Sequence, residues 1–116
     1  MFLKLAHTKL DIFQATKSLT LECYKATKLF PADERFAMVQ QIRRAALSVH
    51  LNVAEGCSRK SGVERKRYYE IARGSVVEID TAFDIAVNLN YCTEEGLQVL
   101  GRKIVSAYKQ VSGLIG

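Results

Sequence analysis

Residues 59 to 69 read Arg59-Lys60-Ser61-Gly62-Val63-Glu64-Arg65-Lys66-Arg67-Tyr68-Tyr69. So dense a run of cations attracts anions and suits the phosphates of a nucleic acid. A helix predicted to start just after Ser61 would add its free backbone amides to that attraction. Arg65, Lys66 and Arg67 then fall in its first turns, where positive charge opposes the macrodipole and costs roughly a few tenths of a kcal/mol each. A binding role would account for that placement, and a solvated charged loop is the plainer alternative. Tyr68 and Tyr69 could stack on bases, although Tyr69 also falls on an apolar stripe.

A second group of polar residues lies in the segment Gln41 to Gly56: Arg43, Arg44, Ser48, Asn52 and Glu55. If the chain reverses near Arg59 or Lys60, antiparallel pairing sets Arg44 within about one turn of Ser75 and Glu78. The same register brings Asn52 near Tyr68 or Tyr69, and Glu55 near Arg65. This predicts an interhelix polar network of Arg44, Ser48, Asn52, Glu55, Ser75 and Glu78, with Arg44 to Glu78 as its ion pair. Bundles can fix register with a few such groups, so a structural role is preferred over a ligand site. Arg43 and Arg44 are second choices for phosphate, because intramolecular pairing competes for them.

Catalytic chemistry finds little support. Bundles that hold two metal ions use Glu-x-x-His pairs on facing helices, and the chain has none. His7 precedes the first predicted helix and His50 is flanked by Val49 and Leu51, so neither has a sequence-local carboxylate or thiol. Cys23, Cys57 and Cys92 are odd in number and widely spaced, which reads as buried free thiols. Glycine-rich phosphate loops are absent. A ligand site around His50, Asn52 and Glu55 would need a pocket that nothing in the sequence suggests. No catalytic residue, metal or cofactor is expected.

The elements that must position these groups can be read from composition and period. The chain has 116 residues, 48% of them hydrophobic, with seven glycines and one proline. That supports one domain with a real core, and favours helix. The net charge is +5, with an isoelectric point near 9.2 and mean hydropathy of -0.02. Residues 59 to 73 carry six basic and two acidic groups, whereas 74 to 116 carry three and five. No apolar run of about 18 residues could span a bilayer, and the start Met1-Phe2-Leu3-Lys4-Leu5-Ala6 is too short and too lightly charged for a signal peptide. A cytoplasmic protein with no membrane contact is expected.

Steps of three and four place Ile12, Thr16, Leu19, Cys23, Ala26 and Phe30 on one helix face, with Phe30-Pro31 as the stop. A second helix is predicted from about residue 33, where Asp33 and Glu34 complement the dipole. Its stripe is Val39, Ile42, Ala46, Val49 and Val53, and Gly56 is placed to end it. Ser61 and Glu64 form a capping box for a third helix striped by Tyr69, Ala72, Val76, Ile79, Phe83, Ala86 and Asn90. Gly74 inside that helix costs roughly 1 kcal/mol against alanine, which suggests a neighbouring helix in close approach. Thr93, Glu94 and Glu95 cap a fourth helix carrying Leu97, Leu100, Ile104, Ala107 or Tyr108, Val111 and Leu114. Helices over about 10–29, 33–56, 62–90 and 94–114, with short connections, predict an all-α, antiparallel, up-down-up-down four-helix bundle. Phe13, Phe36, Leu47, Leu51, Tyr68, Ile71, Val77 and Leu89 lie off the seams, so some are left for a partner and self-association is expected.

A family resemblance rests on Phe30-Pro31 with Glu34 and Phe36, on Gln41-Ile42-Arg43-Arg44-Ala45 with Ser48, and on Asn52-Val53-Ala54-Glu55-Gly56 with Arg59. It continues through Ile71-Ala72-Arg73-Gly74-Ser75 with Glu78. From about Leu10 to Val111 the chain resembles the bacterial four helix bundle protein family, which includes proteins encoded in intervening sequences of the 23S ribosomal RNA gene. It is also similar to the accessory variability determinants of diversity-generating retroelements. The resemblance implies a small helical subunit, commonly a pentameric ring, with no enzymatic activity. The retroelement relatives are basic barrels that bind nucleic acid and a reverse transcriptase.

The preferred reading is therefore a non-enzymatic homo-oligomer that binds RNA or DNA phosphates through Arg59, Lys60, Arg65, Lys66 and Arg67. The rival is a structural module whose helix faces bind a partner protein and whose basic loop only solvates.

Overall fold

The computed structural model describes all 116 residues. Four α-helices account for most of the chain: α1 (Asp11–Thr27), α2 (Met38–Ser58), α3 (Gly62–Asn88) and α4 (Gln98–Ile115). Short 3-10 turns at Ala6–Lys9, Ala32–Glu34 and Glu95–Leu97 precede α1, α2 and α4. Each helix packs on its sequence neighbours and α1 closes against α4. The result is an all-α, up-down-up-down four-helix bundle with no strand.

Local chemistry sets the corners. Phe30 is buried just ahead of Pro31 and stands against Phe83 and Tyr91, with ring centroids 6.0 and 5.5 Å away. The second helix starts later than residue 33: Ala32–Glu34 makes a 3-10 turn, and α2 begins only at Met38. Glu34 has a different task from dipole complementation alone. One carboxylate oxygen accepts a 2.7 Å bond from the Tyr91 hydroxyl, while the other accepts weakly from the Met38 N–H at 3.4 Å.

The α2–α3 turn is only Arg59 to Ser61, so these helices must run antiparallel as neighbours. The Ser61 hydroxyl accepts from the Glu64 N–H at 3.4 Å, which is one half of a capping box. Past Asn88, helix α3 closes in a Schellman motif. Asn90 sits at φ +63°, its N–H donates to the Val87 carbonyl at 3.0 Å, and the Tyr91 N–H donates to Ala86 at 2.9 Å. Thr93 Oγ1 then accepts from the Gly96 N–H at 3.0 Å, ahead of α4.

Two apolar clusters fill the interior. The larger one centres on Leu19, Ile42, Val49, Val76, Ile79 and Phe83, and the smaller joins Ile12, Val53, Tyr69, Ala72 and Val111 near the α2–α3 turn. Three threonines of α1, Thr16, Thr20 and Thr27, are also buried, and each hydroxyl finds a partner. Asn90 and Leu114 leave their stripes for solvent, as does Tyr108, so Ala107 is the inward residue of that pair. Off the seams, Phe13 is buried and Tyr68 half-buried, whereas Phe36, Leu47, Leu51, Ile71, Val77 and Leu89 are exposed.

Neither glycine has the role expected of it. Gly56 does not end α2, which continues to Ser58. It is buried, and a Cβ built on it would lie 2.5 Å from Tyr69 Cε1. The close approach therefore occurs at Gly56, whereas a Cβ on Gly74 would meet nothing within 4 Å.

Candidate nucleic-acid interface

Antiparallel alternation collects the start of α1, the end of α2, the start of α3 and the end of α4 at one end of the bundle. Residues 1–18, 49–75 and 107–116 make up that half and hold ten Lys or Arg against four Asp or Glu. The other half holds seven against eight. The net charge of the protein is thus axial, about the α2–α3 turn, and a field of this shape orients an approaching polyanion.

Within the turn the cations divide into bound and free. Arg59 is committed: one terminal nitrogen donates to Glu55 Oε2 at 3.0 Å and to the Tyr68 hydroxyl at 3.1 Å. Its guanidinium lies over the Tyr68 ring, 5.1 Å from the centroid. The Arg59–Glu55 contact is the sole ion pair in the protein. Tyr68 first, and then Glu55, hold Arg59 more firmly protonated than usual. Arg65 turns back, and its Nε donates to the Arg59 carbonyl at 2.5 Å, leaving the terminal nitrogens free. Lys60, Lys66 and Arg67 are exposed and make no side-chain hydrogen bond or ion pair.

Several sequence expectations change here. Glu55 pairs with Arg59 instead of Arg65, because i and i+4 on one helical turn are closer than a residue across the corner. Both tyrosines are already engaged within the protein. Arg59 covers Tyr68, and Tyr69 is 6% exposed with its hydroxyl donating to Cys57 Sγ at 3.6 Å. Burial first, then that hydrogen bond, pushes the Tyr69 hydroxyl up to about 12.

The expected Arg44–Glu78 pair does not form. Gln41 donates to Glu78, and Arg44 points outward without a partner. Gln41 and Ser48 are seven residues apart and share the seam facing α3, where they bond to Glu78 and Ser75. On that seam Ser75 Oγ donates to Ser48 Oγ at 2.9 Å. Asn52 Nδ2 reaches the Ser48 carbonyl at 2.8 Å and hydroxyl at 3.1 Å, instead of Tyr68 or Tyr69. Arg43 faces α1, where its Nε donates to Thr27 Oγ1 at 3.0 Å and a terminal nitrogen to the Tyr24 carbonyl at 3.3 Å. The Tyr24 ring lies 4.8 Å from its guanidinium carbon.

His50, Asn52 and Glu55 do not converge. His50 faces α1, with Nδ1 2.8 Å from Thr16 Oγ1 and its ring 4.4 Å from Phe13. Burial, then nearby Lys17, lowers the His50 pKa. No three His, Cys, Asp or Glu side chains gather where they could hold a metal ion. The three cysteines are free thiols, but only Cys23 is fully buried. Burial, then Glu22, pushes its thiol up to about 12. No helix is long and apolar enough to cross a membrane.

Comparison with known proteins adds two findings. The model of the 23S rRNA-intervening sequence protein family matches residues 8–113. A crystal structure from Bacteroides thetaiotaomicron, described as a protein of unknown function from the S23 ribosomal protein family, superposes with a TM-score of 0.79. It is 18% identical, and the match covers 90% of this chain and 97% of that one, so the likeness shows the fold. No curated protein matches the sequence.

Proposed function

Because the chain belongs to the 23S rRNA-intervening sequence protein family, we propose that it is a non-catalytic helical bundle that self-associates and binds nucleic acid through its phosphates. Lys60, Arg65, Lys66 and Arg67 carry the contacts. Arg59 positions the turn through Glu55 and Tyr68. The observation behind this reading is the axial charge, with the excess gathered around exposed cations that have no carboxylate partner. Free lysine and arginine groups give up little on meeting a phosphate, whereas paired ones must first break a contact. The family's link to 23S rRNA makes a structured RNA the first ligand to test.

Exposed Leu51 on α2, with Ile71 and Val77 on α3, support self-association. Five copies is the stoichiometry that the sequence resemblance implies. Assembly would set several turns on one ligand and multiply modest contacts by effective concentration.

The test is charge reversal of Lys60, Arg65, Lys66 and Arg67 to Glu, followed by RNA-hairpin titration at low salt. Affinity should fall at least tenfold with the helical melt retained. Unchanged affinity would overturn the proposal and direct the search to a partner protein.

A further inference from the structure

Phe36 is the exposed aromatic ring of the α1–α2 corner. Its ring is 81% exposed, in the turn between the 3-10 segment and α2, where chain reversal alone does not call for a phenyl group. Leaving such a ring in water forgoes the free energy of burying it. Beside it runs a groove of about 480 Å3 whose walls include Tyr24, Arg35, Phe36, Gln40, Arg43 and Arg44. That volume falls in the range of about 300–1,000 Å3 usual for small-molecule sites. Three guanidiniums line the groove, and no carboxylate does.

The three arginines stand in different states. Arg35 lies over the Phe36 ring, 5.7 Å from its centroid. Arg43 is held by Thr27, the Tyr24 carbonyl and the Tyr24 ring, so its position is fixed before any ligand arrives. Arg44 is exposed and unpaired. An adjoining hollow of about 450 Å3 shares Arg35 and Arg43 and adds Lys28, which makes a continuous cationic path across the corner.

We propose that this groove is a single-strand nucleic-acid site, in which an unstacked base lies on Phe36 and the flanking phosphates meet Arg44 and Arg43. An aromatic face offered to solvent among cations is the combination that binds single strands, since every base has a π-face and every linkage a charge. A duplex keeps its bases stacked inside and cannot use the ring. Gln40 can donate to and accept from a base edge. The site rests on the nucleic-acid reading above but lies on a different part of the bundle from the α2–α3 turn, so the two can fail separately.

The test uses fluorescein-labelled oligouridylate and an RNA hairpin whose stem is closed by a non-nucleotide linker, each titrated by anisotropy against the intact protein. The variants are Phe36→Ala, Phe36→Tyr, Arg44→Ala and the charge-reversed turn. Phe36→Ala and Arg44→Ala should each weaken oligouridylate at least fivefold while hairpin affinity changes less than twofold, and Phe36→Tyr should retain single-strand binding. Since Phe36 and Arg44 are exposed, their variants should melt like the parent. Oligouridylate affinity unchanged by Phe36→Ala would overturn the groove, and a hairpin still sensitive to the turn would then leave the first reading standing. Equal losses on both ligands would make these residues general phosphate contacts and would also overturn a stacking site. Failure of the parent protein to bind either RNA would remove both proposals.

Discussion

Replacing glycine with alanine should have opposite effects at Gly56 and Gly74. Both lie inside helices, so each alanine gains roughly 0.5–1 kcal/mol from backbone entropy and helix propensity. At Gly74 nothing stands within 4 Å of the new methyl, so the gain is realised. At Gly56 the methyl would lie 2.5 Å from Tyr69 Cε1 and 2.9 Å from Cδ1. That ring cannot swing away cheaply, because Ile12, Val53, Ala72 and Val111 enclose it and its hydroxyl reaches Cys57. Overpacking of this kind costs about 1–3 kcal/mol. The backbone gain is common to both sites and cancels, so the two substitutions should differ by the overpacking cost of about 1–3 kcal/mol in urea unfolding, with Gly56→Ala below the parent and Gly74→Ala above it. Combining Gly56→Ala with Tyr69→Leu should recover part of the loss through coupling. Equal stabilisation at both positions would refute the packing argument.

Three further perturbations separate other contacts. The His50 pKa lies below its ordinary value of 6.5, so the folded state prefers the neutral ring and its contribution is full above about pH 6.5. Stability should decline as pH falls below that value, and His50→Gln should flatten this part of the urea midpoint profile; an unaltered profile would show that the ring does not carry the effect. Asn90→Ala keeps a β-carbon at φ +63° but removes the short polar side chain that lets asparagine adopt this conformation, and should cost about 1 kcal/mol. Asn90→Gly should be neutral or stabilising, and equal melting of all three proteins would argue against the Schellman closure. A double-mutant cycle on Arg44 and Glu78 should show coupling under about 0.3 kcal/mol, with a larger value for Gln41 and Glu78. The reverse order would restore the ion pair.

The bundle was legible because each helix repeats its apolar residues at steps of three and four, and that period survives without knowledge of the partner helix. Val39 to Val53 and Tyr69 to Ala86 are buried for this local reason. What could not be read depends on distant residues. The late start of α2 involves Glu34, whose carboxylate is taken by Tyr91 from beyond α3. Gly56 resembled a stop until Tyr69 was packed on it. In the candidate interface, Lys60, Lys66 and Arg67 could be named from charge alone, since exposed cations need no partner to be placed. The commitment of Arg59 could not, because it requires the Tyr68 ring to come round on the next helix. Thr16 and His50 lie 34 positions apart and meet only across the α1–α2 seam.

The most direct measurement of the central claim is the salt dependence of RNA binding by the intact protein. With four free cations on the turn, log affinity should fall linearly with log salt, with a slope of about -3 to -4 for each turn engaged on duplex RNA by analogy with duplex DNA. Charge reversal of Lys60, Arg65, Lys66 and Arg67 should abolish that slope. Absence of RNA binding at low salt, or a slope that survives charge reversal, would contradict the account.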